Sequence, residues 1–263
     1  MRNIKAKRIV IKIGTNVMTN KDGLLNTGLM KRLVAQIAKI KNKAKEVMII
    51  TSGAIGAGMK ELQITSRPKE VTMQQICAAV GQNILMSKYH SLFSKHNLKV
   101  AQLLLTYEDF SNKKIYANLR NTLNKLLELG VVPIINENDP ISIDEIGPSF
   151  GDNDNLSALI AGKMKAELLV ILTDVDGLFN KNPDHKNAVL IKEIFNIDKS
   201  IESINGKSSQ LGLGGVQTKI KAAKTATKAG TTVVIANGKK NSVLLKVLNN
   251  EEVGTIFYPR IYR

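Results

Sequence analysis

Arg8-Ile9-Val10-Ile11-Lys12-Ile13-Gly14-Thr15-Asn16 is a short β-branched run that stops at a glycine and a polar loop. The run reads as a buried strand and the loop as its carboxyl edge. The same step from apolar to polar recurs downstream. Residues 47–51 lead into Thr51-Ser52-Gly53-Ala54, residues 131–136 into Asn136-Glu137-Asn138-Asp139, and residues 167–172 into Leu172-Thr173-Asp174-Val175-Asp176-Gly177. Two further polar loops precede helical patterns: Gly151-Asp152-Asn153-Asp154-Asn155, and Gly212-Leu213-Gly214-Gly215-Val216-Gln217-Thr218-Lys219. In an open α/β sheet, ligands bind outside the carboxyl ends of the strands, so loops gathered on that edge imply one site.

Between these runs the period changes from strand to helix. Leu29, Leu33, Ile37 and Ile40 mark a helix over 27–44, and further helices are expected over 71–95, 112–129, 153–163, 215–229 and 242–248. Strands are expected over 8–13, 47–51, 99–105, 131–136, 167–172, 232–236 and 254–257, with a short hairpin region at 183–197. This alternation predicts an α/β fold: a mostly parallel sheet with helices on both faces. A single domain of 1–263 is expected, with an N-terminal lobe to about residue 166 and a C-terminal lobe after it, sharing one sheet.

Composition narrows the function class. The 263 residues are 43% hydrophobic and carry a net charge of +16, enough for a full core without staples. The one cysteine, Cys77, excludes an internal disulfide and fits a reducing compartment. It falls in an apolar helical stretch and reads as an inert buried thiol. Lys12 interrupts the first apolar run too early for an export signal, and no run approaches the ~20 residues of a membrane span. A cytoplasmic enzyme is expected. The basic excess is mostly lysine scattered over helices, as at Lys39, Lys41, Lys43 and Lys45, rather than a compact Arg/aromatic stripe. It therefore favours anionic small substrates over nucleic acid.

Several familiar sites are absent. Gly206-Lys207-Ser208 ends like a Walker A loop, but Ile201 stands where its first glycine belongs. No G-x-G-x-x-G opens a helix after a strand. His90, His96 and His185 are dispersed and pair with no cysteine, so a zinc site is not expected. Leu156 and Leu178 break the calcium-loop pattern begun at Asp152 and Asp174.

What remains is phosphate chemistry. Lys12, in a buried strand, needs its charge met, and a phosphate at the strand end would meet it. Gly14 lets backbone N–H groups approach an anion. Ser52 stands at a strand-to-helix turn, where it is either an N-cap or a carboxylate-binding group. Asp139 could accept hydrogen bonds from an ammonium group. Four Asp/Asn residues at 152–155 exceed what one cap needs. Lys219, in the first turns of a helix after a glycine-rich loop, can reach a polyphosphate. Two lysines from distant loops plus ordered Asp/Asn suggest phosphoryl transfer, which needs positioning and charge neutralisation more than covalent chemistry.

The order of motifs resembles the amino acid kinase superfamily and, within it, the glutamate 5-kinase family. Lys-Ile-Gly-Thr, Thr-Ser-Gly-Ala-Ile, Ala-Ala-Val-Gly-Gln, Ile-Asn-Glu-Asn-Asp, Gly-Asp-Asn-Asp-Asn-Leu-Ser-Ala, Leu-Thr-Asp and Gly-Gly-x-x-Thr-Lys follow one another from Arg8 to Phe257. The second Asn/Asp-rich pair, at 136–139 and 151–158, is the more specific to that family. The resemblance implies a three-layer α/β/α sandwich and ATP-dependent phosphorylation of the γ-carboxylate of L-glutamate, the first step of proline synthesis. It implies ATP with Mg²⁺ carried by the nucleotide, and a homo-oligomer, dimer or tetramer. By resemblance, Lys12 and Lys219 neutralise the transferring phosphoryl group and Asp154 holds them. Ser52, Asp139 and Asn153 bind glutamate. Lys12, Thr173, Asp174, Leu213, Gly214, Gly215, Val216, Gln217, Thr218 and Lys219 bind ATP. A short form without the family's frequent C-terminal PUA domain is expected, and the loop at 140–150 looks longer than usual, with no Lys or Arg. The competing readings are a sibling kinase acting on N-acetylglutamate, aspartate or UMP, and a nucleic-acid-binding protein on a kinase fold. Asp139 and Asn153 suit a free α-ammonium, which an N-acetylated substrate lacks.

Overall fold

The structure is a computed structural model describing residues 2–20, 23–43, 45–142, 153–183, 185–204 and 215–259. The loop at 143–152, and residues 205–214 with Leu213 and Gly214, lie outside the described residues. The elements run β1 (Arg8–Ile13), α1 (Thr15–Met18), α2 (Thr27–Lys41), β2 (Glu46–Ile50), α3 (Ala54–Glu61), α4 (Val71–Ser94), β3 (Val100–Leu105), α5 (Glu108–Ser111) and α6 (Lys113–Glu128). They continue β4 (Val132–Glu137), α7 (Asn153–Lys163), β5 (Leu168–Thr173), β6 (Glu193–Ile194), α8 (Lys199–Glu202), α9 (Val216–Lys228), β7 (Thr232–Asn237), α10 (Val243–Leu248) and β8 (Thr255–Phe257).

The strands form one sheet in the order β3-β4-β2-β1-β5-β7-β8-β6. β1 lies between β2 and β5, parallel to both. The sheet is therefore continuous through both halves of the chain. Only the β7–β8 pair is antiparallel among the described strands. This is the expected α/β sheet with helices on both faces.

Side-chain alternation builds the two faces. Ile9, Ile11 and Ile13 of β1 join a core with Leu33 and Ile37 of α2, Leu85 and Tyr89 of α4, and Leu244 and Val247 of α10. Val10 joins the opposite core with Leu123 of α6, Ala158 and Ala161 of α7, and Ala222, Ala223 and Ala226 of α9. A period of two therefore sends Lys12 to the side of α7 and α9.

One expected element differs. The expected hairpin of 183–197 is shifted: Phe179 bridges Leu190 in antiparallel fashion, with Asn180 N donating to Val189 O at 3.1 Å and Ile191 N to Leu178 O at 2.8 Å, and β6 beyond it pairs in parallel with β8. Residues 193–194 alternate Glu-out, Ile-in, and Ile194 goes into the core, which places β6 at the sheet edge beside β8. Cys77 is fully buried, as read from sequence. Among the described residues, no helix is long and apolar enough to cross a membrane.

Candidate active site

Four strands, β1, β2, β4 and β5, and two helices, α7 and α9, deliver the polar residues to one edge. β1 presents Lys12 on the face covered by α7, whose first turn carries Asp154. α9 begins at Val216 and brings Lys219 in its first turn. The alanines where α7 packs on α9 keep the two helices close enough for their first turns to meet.

There Asp154 lies between two lysines. Lys12 Nζ is 2.6 Å from Asp154 Oδ1, and Lys219 Nζ is 3.0 Å from Oδ2. Thr218 Oγ1 also donates to Oδ2 at 3.1 Å. All three charged residues are buried: Lys12 is 3% exposed, Asp154 0% and Lys219 9%. Burial by itself would push the Asp154 carboxyl up, but the two ammonium groups outweigh it and hold the carboxyl well below the usual carboxylate range. Among the described residues the cluster sets one carboxylate between two ammonium groups, an arrangement to which a phosphate would add further opposite charge.

Asp154 also sits at the positive end of the α7 dipole, whereas Lys219 sits at the unfavourable end of α9. The pairing of Lys219 with Asp154 offsets that cost. Gly215, the residue before α9, gives no side-chain cap, and a Cβ there would meet open space. Among the described residues, no side chain caps the first N–H groups of α9, a position suited to an anion beside Lys219.

The ends of β5 and β1 are tied together next to this cluster. Thr173 Oγ1 donates to Asp174 Oδ1 at 3.2 Å, and Asn16 Nδ2 donates to Asp174 Oδ2 at 2.9 Å. Gly14 N donates to Leu172 O at 3.0 Å, and a Cβ on Gly14 would lie 3.0 Å from that same oxygen. A side chain there would need Leu172 to give by a few tenths of an ångström, so the close approach favours glycine.

On the other side, Asn153 spans from α7 to β2 and β4. Its Nδ2 donates to Thr51 O at 2.8 Å and to Asn136 Oδ1 at 3.0 Å, and lies 3.3 Å from Ser52 Oγ. Ser52 does not cap α3; Gly53 precedes that helix at φ +100° with no side-chain cap. The N-cap reading of Ser52 is thereby set aside, and its hydroxyl faces Asn153 instead. Asp139 is buried, 8% exposed, and lines a cavity of about 320 Å³ with Gln82, Asn83, Gln102 and Glu137.

The structure thus brings Lys12, Asp154, Thr218 and Lys219 into one cluster, and Ser52 and Asn153 into a second that α7 joins to the first. Gly215, Val216 and Gln217 open α9, while Gln217 turns outward to Glu202 O and Ile204 O. Sequence reasoning gave no role to Gln82 or Thr51. Gln82 had a signal: it occupies the buried stripe of α4 formed by Cys77, Ala78, Gly81, Leu85 and Tyr89, where an amide needs a reason. Thr51 acts through its backbone carbonyl, which no side-chain pattern reports.

A cluster of two buried lysines, one carboxylate and an uncapped helix start can receive a polyphosphate and neutralise charge passing between two oxygens. Among the described residues, no group of three or more His, Cys, Asp or Glu side chains is placed to hold a metal ion.

Comparison with known proteins agrees with this chemistry. The profile of the amino acid kinase family matches residues 7–237. The chain is 46% identical over 254 residues to the glutamate 5-kinase of Methanococcoides burtonii, covering 96% of this chain and 68% of that protein. It is 45% identical to the glutamate 5-kinase of Clostridium acetobutylicum, covering 96% and 95% of the two. Among solved structures, a UMP kinase from Bacillus anthracis superposes with a TM-score of 0.64 at 17% identity, over 97% of each chain. An isopentenyl phosphate kinase from T. acidophilum gives 0.65 at 17%, over 95% and 99%. The last two share the fold; the first two, over nearly the whole chain, set the branch. The chain belongs to the amino acid kinase family, among its glutamate 5-kinases.

Proposed function

We propose that the protein transfers the γ-phosphoryl group of ATP to the γ-carboxylate of L-glutamate, giving γ-glutamyl phosphate and ADP, the first step of proline synthesis. The observation that carries this reading is the buried Lys12–Asp154–Lys219 cluster. A carboxylate oxygen attacks the γ-phosphorus in line. The bond from that phosphorus to the β,γ-bridging oxygen breaks, and its electron pair leaves on ADP. The nucleophile is already ionised at neutral pH, so no general base is needed. Asp154, held strongly ionised, serves as an anchor for the two ammonium groups rather than as a base.

In this reading Lys12 and Lys219 neutralise the transferring phosphoryl group. Ser52, Asp139 and Asn153 bind glutamate, within an N-terminal lobe of about 1–166. Thr173, Asp174 and residues 213–219 bind ATP, within a C-terminal lobe of about 167–263. The two ammonium groups and the start of α9, which has no side-chain cap, suit the nucleotide's phosphates. Mg²⁺ would arrive on those phosphates and supply further charge neutralisation. A cytoplasmic location and a homo-oligomer, dimer or tetramer, complete the reading; light scattering of the purified protein tests the latter.

The test of function is a hydroxylamine trap for acyl phosphates with ATP and Mg²⁺. Hydroxamate should form from L-glutamate and hardly at all from N-acetylglutamate. No product from glutamate, or equal turnover of the two, would overturn the reading.

A further inference from the structure

The two amide side chains beside Asn153 form a relay with a fixed direction. Asn153 Nδ2 donates to Asn136 Oδ1 at 3.0 Å, and Asn136 Nδ2 donates to Gln82 Oε1 at 2.9 Å. An amide can be turned over in principle, because its oxygen and nitrogen are alike in shape. Here a backbone carbonyl forbids it. Thr51 O, 2.8 Å from Asn153, can only accept, so the nitrogen of Asn153 must face it. Asn136 must then turn its oxygen to Asn153 and its nitrogen to Gln82. Gln82 must turn its oxygen inward, which leaves its Nε2 as the outer end of the relay.

Among the described residues, that end is a buried donor with nothing to donate to. Gln82 is 8% exposed, and among the described residues its Nε2 has no hydrogen-bond partner. Leaving a buried donor unmade is costly, and such an atom in a folded protein calls for an explanation. Gln82 lines the 320 Å³ cavity that Asp139 also lines. The cavity thus joins two carboxylates, Glu137, which accepts from Ser142 Oγ at 2.9 Å, and Asp139, suited to an ammonium group, to an N–H donor suited to a carboxylate. An α-amino acid presents both.

We propose that Gln82 is a specificity-determining residue of the amino-acid site, donating from Nε2 to the α-carboxylate of the substrate while Asp139 faces the α-ammonium. This rests on the glutamate kinase reading above. Asn136 and the Thr51 carbonyl act as positioning groups: through Asn153 they set which atom of Gln82 is the outer end of the relay.

The experiment compares L-glutamate with its α-amide, L-isoglutamine, which keeps the γ-carboxylate and the α-ammonium. Wild-type protein should prefer glutamate by at least ~10-fold in kcat/KM, since a charge-assisted hydrogen bond is roughly twice as strong as a neutral one. Gln82→Glu retains an oxygen for Asn136 but replaces the donor by an acceptor, which the amide of isoglutamine can satisfy. Its glutamate/isoglutamine ratio should fall at least ~10-fold, while KM for ATP stays within about 2-fold. Gln82→Met, which removes donor and acceptor without adding charge, should also lower the ratio. A merely structural role for Gln82 would reduce both substrates together and leave the ratio unchanged; that result in a folded variant overturns the proposal. Should neither variant fold, equal kcat/KM of the wild type for the two substrates overturns it, and the ~10-fold preference supports it. Absence of any wild-type turnover of glutamate would instead strike the kinase reading itself.

Discussion

At the scale of single residues, one carboxylate organises the chemistry. Asp154 is legible in sequence as part of an excess of Asp/Asn at a helix start, and Lys12 as a charge inside an apolar strand. Their meeting is not legible, because it depends on β1 turning its even-numbered residues toward α7 and on α9 arriving beside α7. Lys219 should act mainly on the transition state, where charge develops on the transferring oxygens. Lys219→Ala is expected to lower kcat by at least ~10²-fold with glutamate binding retained, since one preorganised donor is worth about 3–4 kcal/mol. Lys219→Arg should rescue only in part, because a planar fork differs in shape from a point charge. Steady-state kinetics on variants checked by thermal melts decides this; near-wild-type kcat in a folded Lys219→Ala protein would reduce the loop before α9 to a hinge. Asp154 also couples the site to acid stability. Its folded pKa lies below the unfolded value of about 3.9, so the unfolded chain takes up the proton more readily. The stabilisation is fully present above about pH 5 and is lost as the pH falls through the unfolded value toward the folded one. Asp154→Asn should therefore be less stable at neutral pH, by roughly 3–5 kcal/mol for a buried ion pair broken on one side. The difference from wild type should shrink on acidification, as urea melts at pH 7 and about pH 2.5 would show; a constant difference would detach the carboxylate from the acid response.

At the scale of elements, the strands with uniformly apolar runs were the most legible, and their ends shifted by a residue or two. β5, Leu168–Thr173, is buried at every position, which is the signature of a central parallel strand. At 183–197 the local antiparallel contact is shifted toward 179–190, and the two-residue edge strand β6 carries almost no period, with its partner in β8 63 residues away in the chain. Least legible was the crossing of α3 and α4. A Cβ on Gly58 would lie 1.8 Å from Cys77 O, and one on Gly81 would lie 1.9 Å from Ala54 O. The two helices touch backbone to backbone through these glycines. This contact sets the position of α4, and with it Gln82, one residue beyond Gly81, next to the Ser52 turn that opens α3. Gly81→Ala must push the helices apart. Overpacking of this kind costs typically 1–3 kcal/mol, and backbone offers less give than a side chain. A fall in melting temperature of at least ~2–4 °C is expected, with KM for glutamate rising more than KM for ATP, because the displaced helix borders the Ser52 and Gln82 side of the site. An unchanged melt would mean that the crossing relaxes without cost.

At the scale of the whole molecule, the dominant fact is the net charge of +16. Such a field concentrates anionic ligands near the protein, and glutamate and ATP are both anionic. It also raises the question of nucleic acid, which the placement of the charges answers. Lys31, Lys39 and Lys43 are exposed or lie at the end of α2 on one face of the sheet, and Lys113, Lys114 and Lys125 are exposed on α6 on the other. Lysines on opposite faces cannot follow one nucleic-acid backbone together, so few phosphates can be contacted at once. The affinity for polyanions should be weak and should fall with salt by a small power, since the slope of log K against log salt measures the number of phosphates neutralised. A titration of single-stranded RNA by fluorescence anisotropy between 50 and 200 mM salt should give a slope below about 3 in magnitude, with no preference among sequences and no binding left at the higher salt. Tight binding that survives ~200 mM salt would require a continuous basic track and would revive a nucleic-acid role. The kinase reaction provides the matching control: if the charge serves small anionic substrates by steering, raising the salt should increase KM for ATP with little change in kcat, because the field acts on encounter and is screened over about 10 Å at 0.1 M.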